Sequence, residues 1–290
     1  MIKKIYNYLP FKRQIFTFIR SFVKLPTGIY QHLHFKGIFS VKLNEKSSFL
    51  IHHFGYLIEN EIFWAGIIGG WEKESLNLWI QLCKDSNNII DVGANTGVYS
   101  LIAKSINPNA KVIALEPVER VYKKLLMNTT LNNYDITCLP LAASNKDGEA
   151  IIFDIPNAEH TYSVTVNKNM YDPGTPIKTV NIRTIKLDTL VEEQGLPKID
   201  LIKIDVETHE AEVIEGYLKY ISIYKPTILI EILTDEVGQK VEEMISNLNY
   251  LYFNIDENNG IRKVDKILKS DYYNYLLCSS KIAEKLNILN

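Results

Sequence analysis

The residues able to do chemistry are concentrated in two stretches, Asn88 to Ser100 (NIIDVGANTGVYS) and Ile199 to Glu212 (IDLIKIDVETHEAE). In the first, a short apolar run (Ile89, Ile90, Val92) gives way to Gly93-Ala-Asn-Thr-Gly97, and a helix is expected to begin near Val98. A strand, a glycine turn and a helix start bring backbone N–H groups up to a nucleotide-like ligand. Gly93 can take positive φ and lets the chain approach that ligand closely. Gly97 permits close packing of helix on strand, and Asn95 and Thr96 complete the turn. The spacing is G-x-N-x-G, so the dinucleotide fingerprint G-x-G-x-x-G is not met. Asp91, an acid at the strand end, suits a cationic ligand better than a pyrophosphate. A second acid, Glu116, follows the apolar run Lys111 to Leu115. An acid about 20 residues beyond a glycine turn, at the next strand end, can accept both hydroxyls of an adenosine ribose. Further on, LAASNKDG (Leu141 to Gly148) opens with small residues, and Ala142 and Ala143 would let an adenine lie flat against backbone. A glycine turn, a ribose acid and no phosphate signature together point to S-adenosylmethionine.

The second stretch crowds Asp205, Glu207, His209 and Glu210 at the end of an apolar run, Leu201 to Ile204, that only Lys203 interrupts. Ligands of α/β sheets sit at strand ends, so a cluster of ionisable groups there reads as functional. Glu210 and Glu212 also suit the first turn of the helix that follows, expected to run to about Tyr220. Transfer of a sulfonium methyl is a direct displacement in which the accepting atom lies in line with that methyl, about 3 Å away. A proton acceptor at the rim adds roughly 10²–10⁴-fold. The candidates are Asp205, then His209, then Glu207. Asp205 equally suits the methionine amino group, so it is counted with Asp91, Gly93, Asn95, Thr96, Gly97, Glu116, Ala142 and Ala143 among the cofactor contacts as well. No metal is assigned. The alternative is that Asp205, Glu207 and Glu231 supply hard oxygen ligands for Mg²⁺ in a metal-dependent O-methyltransferase.

These sites need strands to hold them. Apolar, β-prone runs at 89–92, 111–115, 136–139, 201–204, 226–230, 250–254 and 275–279 alternate with helical patterns at about 118–132 (Val121, Leu125 and Leu126 inward), 210–220 and 236–248. That alternation predicts an α/β fold, a mainly parallel sheet with helices on both faces. The last two strands lack a helical crossover, so their edge is expected to be antiparallel. Ala150 to Ile155 and Lys178 to Thr184 read as a strand pair around a long polar loop, Asn157 to Pro176. Loops of that length are commonly functional, and His160, Tyr162 and Ser163 are its candidate substrate contacts. Upstream, residues 37–58 alternate like a β-hairpin broken at Asn44-Glu45-Lys46. Its adjacent His52 and His53 face opposite ways on a strand and are read as structural. Glu72 and Glu74 open the second helix of a helical approach from Asn60 to Cys83.

The length suits one large α/β domain, residues 71–290, behind an N-terminal extension, residues 1–70. Three scattered cysteines with no C-x-x-C argue against a zinc site or a disulfide framework and fit a reducing, cytoplasmic compartment. Charge is uneven. No acid precedes Glu45, and the first 44 residues are +8, which leaves −10 for the remainder of a chain whose net charge is −2. Within the basic part, Phe11, Ile15, Phe18, Ile19, Phe22 and Val23 recur at helical spacing, with Lys12, Arg13, Arg20 and Lys24 mostly opposite. Pro10 suits the first turn of this helix and Pro26 ends it. The apolar runs are too short for a membrane span, and no small-residue cleavage site follows them. Two readings stand: residues 10–25 lie peripherally on an anionic membrane, or they dock on the domain or a partner subunit of an oligomer.

The segments IIDVGANTGVYS, ALEP, TIKLDTL (Thr184 to Leu190), LIKIDVETHEAEVIEG (Leu201 to Gly216) and PTILIEI (Pro226 to Ile232) resemble FkbM-type methyltransferases over about residues 72 to 255. The resemblance implies a seven-stranded class I methyltransferase (Rossmann-like) fold. It also implies methyl transfer from S-adenosylmethionine to a hydroxyl of a sugar, polyketide, glycan or other metabolite. Asp205 and Glu207 match the family motif. Where the family has Gly after KIDVE, this chain has Thr208, a residue ill suited to positive φ. Beside this reading stand an RNA methyltransferase, which the acidic remainder and the lack of an RNA module disfavour, and a binding protein that kept the fold without the chemistry.

Overall fold

A computed structural model of the chain describes residues 10–154 and 177–289. The candidate substrate contacts His160, Tyr162 and Ser163 lie outside them. The chain divides into two compact units, with the break between Lys73 and Glu74.

The N-terminal unit holds helices α1 (Lys12–Phe22), α2 (Thr27–Tyr30) and α3 (Leu57–Ala65) and an antiparallel hairpin, β1 (Gly37–Lys42) and β2 (Ser48–His53). The hairpin turns where the sequence breaks, because Asn44 Oδ1 accepts the backbone N–H groups of Lys46 and Ser47. Its core is aromatic: Phe35 packs on Phe39, on Phe63 and on Phe16 of α1. His53 is buried in this cluster. Its Nδ1 accepts the Gly55 N–H at 3.1 Å and its Nε2 meets Asn60 Oδ1 at 3.2 Å. Burial pushes its pKa down to about 4, which keeps the ring neutral and its role structural.

The larger unit begins within α4 (Lys73–Cys83) and continues β3 (Asn88–Val92), α5 (Val98–Ile106), β4 (Lys111–Leu115), α6 (Glu119–Leu131), β5 (Ile136–Leu139), β6 (Leu141–Ala143), β7 (Gly148–Asp154), β8 (Lys178–Ile185), α7 (Leu187–Glu193), β9 (Leu201–Ile204), α8 (Glu210–Glu215), α9 (Leu218–Tyr224), β10 (Thr227–Glu231), α10 (Asp235–Ile245), β11 (Leu251–Asp256), β12 (Gly260–Val264), β13 (Asn274–Cys278) and α11 (Ser280–Lys285). One sheet runs β12-β11-β13-β10-β9-β3-β4-β5. Its five strands from β10 to β5 are parallel, and β13, β11 and β12 are added antiparallel. This is the mainly parallel seven-stranded Rossmann-like sheet expected, with β12 as an eighth strand. The sequence reading missed β12 because Ile261 and Val264 are its only apolar side chains. Every residue of β9 is buried, as befits a central strand covered on both faces. Here Lys203, read as the exception in an apolar run, goes into the core with the rest.

The expected strand pair forms, β7 running antiparallel to β8. Three further details differ from expectation. β6 joins β8 in parallel to make a second, three-stranded sheet. The helix expected over 210–220 is two helices, because Gly216 presses on the Ser144 carbonyl, where a Cβ would lie 2.0 Å from the oxygen. On α6, Val121 and Leu125 are buried but Leu126 faces solvent.

The chain leaves β3 toward β4 and β5, then returns to build β9 and β10 on the other flank. The strand order reverses between β3 and β9. Open α/β sheets bind their ligands in the crevice beyond the strand ends at such a reversal.

Candidate active site

The glycine turn stands at that crevice. Gly93 has φ 77° and Gly97 φ 92°. Gly93 lies over the carboxyl end of β9, where a Cβ would come 1.8 Å from the Asp205 carbonyl oxygen. The turn is tied down from three sides. Gly93 and Ala94 donate to the Leu115 carbonyl at 3.0 and 2.9 Å, Asn128 Nδ2 donates to the Thr96 carbonyl at 2.8 Å, and Asp205 N–H donates to the Val92 carbonyl at 3.1 Å. Gly97 abuts Leu125 of α6, 2.6 Å from where its Cβ would be, so the close approach it allows is to a helix and not to a strand as expected.

Glu116 follows β4 and reaches back to the turn. Its Oε2 accepts the Asn95 N–H at 3.0 Å and its Oε1 accepts the Val118 N–H at 2.9 Å. Burial raises its pKa to about 7, against the lowering effect of those two N–H groups and of Arg120. Asn95 itself takes φ 53°, and its side-chain Oδ1 is shut from solvent with no hydrogen-bond partner among the described residues. Asp91 is buried and accepts the Ser100 hydroxyl at 2.6 Å. Burial lifts its pKa to about 6, and Ser100 and the Lys203 charge oppose the rise.

The second stretch meets the first through Lys203. Its ammonium is 2.9 Å from Asp205 Oδ2 and 4.9 Å from the centre of the Tyr99 ring, although the residue is only 1% exposed. Tyr99 is held in turn by Trp79, whose indole N–H donates to the Tyr99 carbonyl at 2.9 Å. Asp205 is therefore a paired carboxylate. After it, Glu207 (φ 54°) and Thr208 (φ 77°) both take the left-handed conformation. Thr208 thus takes a conformation that favours glycine, despite its β-branched side chain. The buried carboxyl of Glu210 stabilises this bend, Oε1 accepting the N–H groups of Val206 at 3.1 Å and Thr208 at 3.3 Å. Desolvation raises its pKa to about 8.

His209 turns toward β6. Its Nε2 lies 3.0 Å from Ser144 Oγ, and its Nδ1 lies 3.4 Å from Glu212 Oε2. Burial lowers its pKa and Glu212 works against that. Ser144 directly follows Ala142 and Ala143, so the adenine-side segment and the acidic stretch share this contact. Among the described residues no three His, Cys, Asp or Glu side chains come together as a metal-ligand set. The alternative trio of Asp205, Glu207 and Glu231 is thus not gathered, and Lys203 already occupies one oxygen of Asp205.

Sequence reasoning did not single out Lys203, Ser144 or Ser100. Lys203 left a signal, since a lysine inside an apolar strand and two residues from an aspartate needs a partner. Ser144 and Ser100 left none.

A sheet of this order, with a glycine turn and an acid-bearing second strand at the reversal point, defines the class I methyltransferase fold. The methyltransferase FkbM domain model matches residues 91–262, more than half of the chain, and the chain belongs to that family. It is 28% identical over 146 residues to the hexuronic acid methyltransferase AglP of Haloferax volcanii, a match covering 50% of this chain and 56% of that protein. It is 30% identical over 154 residues to the methyltransferase sdnD of Sordaria araneosa, covering 44% of this chain and 59% of that protein. The chain thus spans under two thirds of the curated relatives it matches. A crystal structure of a methyltransferase FkbM from Methylobacillus flagellatus KT aligns with a TM-score of 0.45 at 16% identity, over 67% of this chain and 44% of that one.

Proposed function

We propose that this protein is an S-adenosylmethionine-dependent O-methyltransferase acting on a hydroxyl of a sugar, a glycan or another small metabolite. The observation that carries the proposal is the Gly93–Asp205 approach. It sets the cofactor turn directly against the strand end that bears the ionisable cluster. The residues present fit the cofactor. Glu116 keeps a free lone pair on each oxygen for the ribose hydroxyls, and the unpartnered Asn95 Oδ1 awaits a donor. Asp91 and Asp205 put two carboxylates near the turn for a ligand that is cationic at both its sulfonium and its amino group. Bound there, the cofactor supplies an already activated methyl group, so what the protein adds is positioning and removal of a proton.

Of the three candidate proton acceptors, His209 fits best. Asp205 has one oxygen taken by the Lys203 ammonium at 2.9 Å, which suits it to anchoring the cofactor's amino group. Burial lowers the pKa of His209 and so favours its neutral ring, and Glu212 Oε2 lies 3.4 Å from Nδ1. Nε2 is then the acceptor, and the Ser144 hydroxyl at 3.0 Å can relay a substrate proton to it. A sugar acceptor is supported by the hexuronic acid named for the Haloferax relative. The test is steady-state kinetics on uronic acids and their glycosides. His209→Gln should lower kcat about 10²-fold or more and leave the cofactor Kd unchanged. Asp205→Asn should chiefly weaken the cofactor. The opposite pattern would make Asp205 the base.

A further inference from the structure

The N-terminal helix presents a face that nothing among the described residues covers. Phe11, Ile15, Phe18 and Phe22, spaced i, i+4, i+7 and i+11, form one stripe along α1. Three of them are largely exposed, Phe11 by 71%, Phe18 by 68% and Phe22 by 74%. Phe18 and Phe22 stack on each other, with ring centres 4.9 Å apart, rather than on the protein. The side that packs inward is the other one. Phe16 is buried against Phe35 and Trp64. Arg20 lies over the Phe63 ring, 4.1 Å from its centre, and donates to the Phe63 carbonyl at 2.6 Å, while Arg13 donates to the Ile38 carbonyl. The helix is therefore fixed to its own unit by Phe16 and two arginines, and its aromatic stripe points to solvent.

We propose that this stripe inserts at the surface of an anionic phospholipid bilayer. Charge decides between occupants. The 44 residues around the stripe are +8 with no acid, and Lys24, Lys36 and Lys42 are exposed. A second copy of the chain, bound stripe to stripe, would set +8 against +8. An anionic leaflet matches both features, with lysines at the headgroups and phenylalanines at the acyl boundary. No helix among the described residues is long and apolar enough to cross a membrane, so the contact is peripheral.

The test is co-sedimentation of the full chain with vesicles of phosphatidylcholine alone or with phosphatidylserine added, at low and at physiological salt. The protein should pellet with the mixed vesicles, more strongly at low salt, and remain in solution with phosphatidylcholine. Phe18→Ser with Phe22→Ser should abolish pelleting while circular dichroism and S-adenosylmethionine binding stay unchanged. Lys24→Glu should weaken partitioning about fivefold or more. The proposal is overturned if the parent protein stays in the supernatant with mixed vesicles at both salts. It is also overturned if the protein forms a concentration-dependent dimer that the double substitution dissolves. A third contrary result is tight binding to a soluble RNA homopolymer that survives the double substitution.

Discussion

Glu116 is a carboxyl whose ionisation decides how well it can accept a ribose hydroxyl. Burial sets its pKa at about 7, well above the 4.5 of an exposed glutamate. Only the ionised form accepts on both oxygens, so cofactor affinity should rise as pH climbs through about 7 and level off above it. Below that pKa it should fall by up to about tenfold per pH unit. Folding stability from this group runs the other way. Its raised pKa stabilises the folded state below pH 4.5 and that contribution is lost as pH rises through about 7. Titration calorimetry from pH 6 to 8.5 tests the binding half of this. In Glu116→Gln the slope should vanish, because the amide does not titrate, and its N–H₂ is forced to face the N–H of Asn95 or Val118. Affinity should also drop, by about 1.5–3 kcal/mol for each charged-acceptor bond lost. Thr208 supports a second prediction. A threonine at φ 77° costs about 1–2 kcal/mol, partly recovered by the lower chain entropy of threonine when unfolded. Thr208→Gly should therefore raise stability by about 1 kcal/mol in urea denaturation, with the Glu210 cap unchanged. A loss of stability would mean that the threonine side chain makes a contact that outweighs its strain.

The elements that hold these residues were legible where periodicity was strong. β3, β4, β5 and β9 appear within a residue of the apolar runs, because buried parallel strands are continuous in apolar side chains. The break after α8 was not legible, since it arises from the contact of Gly216 with Ser144, two residues distant in sequence. The same holds for Lys203, whose burial depends on Asp205, Tyr99 and the Asp91 charge converging from three elements. His209 was legible as a candidate but its Ser144 partner was not, because only the pairing of β6 with β8 brings that serine round. The sequence shows Glu72 and Glu74 at the opening of α4, but the carboxylate that holds this helix end comes from after β11. Glu257 accepts the Glu74 N–H at 2.7 Å, the Ser75 N–H at 3.3 Å and the Ser75 hydroxyl at 2.5 Å. This carboxylate caps a helix from 182 residues away and ties α4, which braces Tyr99 through Trp79, to the antiparallel edge. Glu257→Ala should cost about 1–2 kcal/mol in thermal unfolding. An unchanged Tm would show that water replaces the cap without loss.

At the scale of the whole molecule, a basic N-terminal unit with an exposed aromatic stripe is joined to an acidic methyltransferase unit. Its candidate site lies at the reversal point between β3 and β9. Everything proposed for that crevice reduces to one statement: it takes the methyl group of S-adenosylmethionine and places it on a hydroxyl oxygen, with Glu116 holding the donor and His209 receiving the proton. The measurement that tests this most directly is mass spectrometry of products formed when the protein and isotopically methyl-labelled S-adenosylmethionine are incubated with metabolite extract of its host. The account predicts a labelled methyl ether, resistant to mild base, that is absent with Glu116→Ala and strongly diminished with His209→Gln. Label found on nitrogen, carbon or a carboxyl ester, or a labelled ether formed as fast by His209→Gln as by the parent protein, would contradict it.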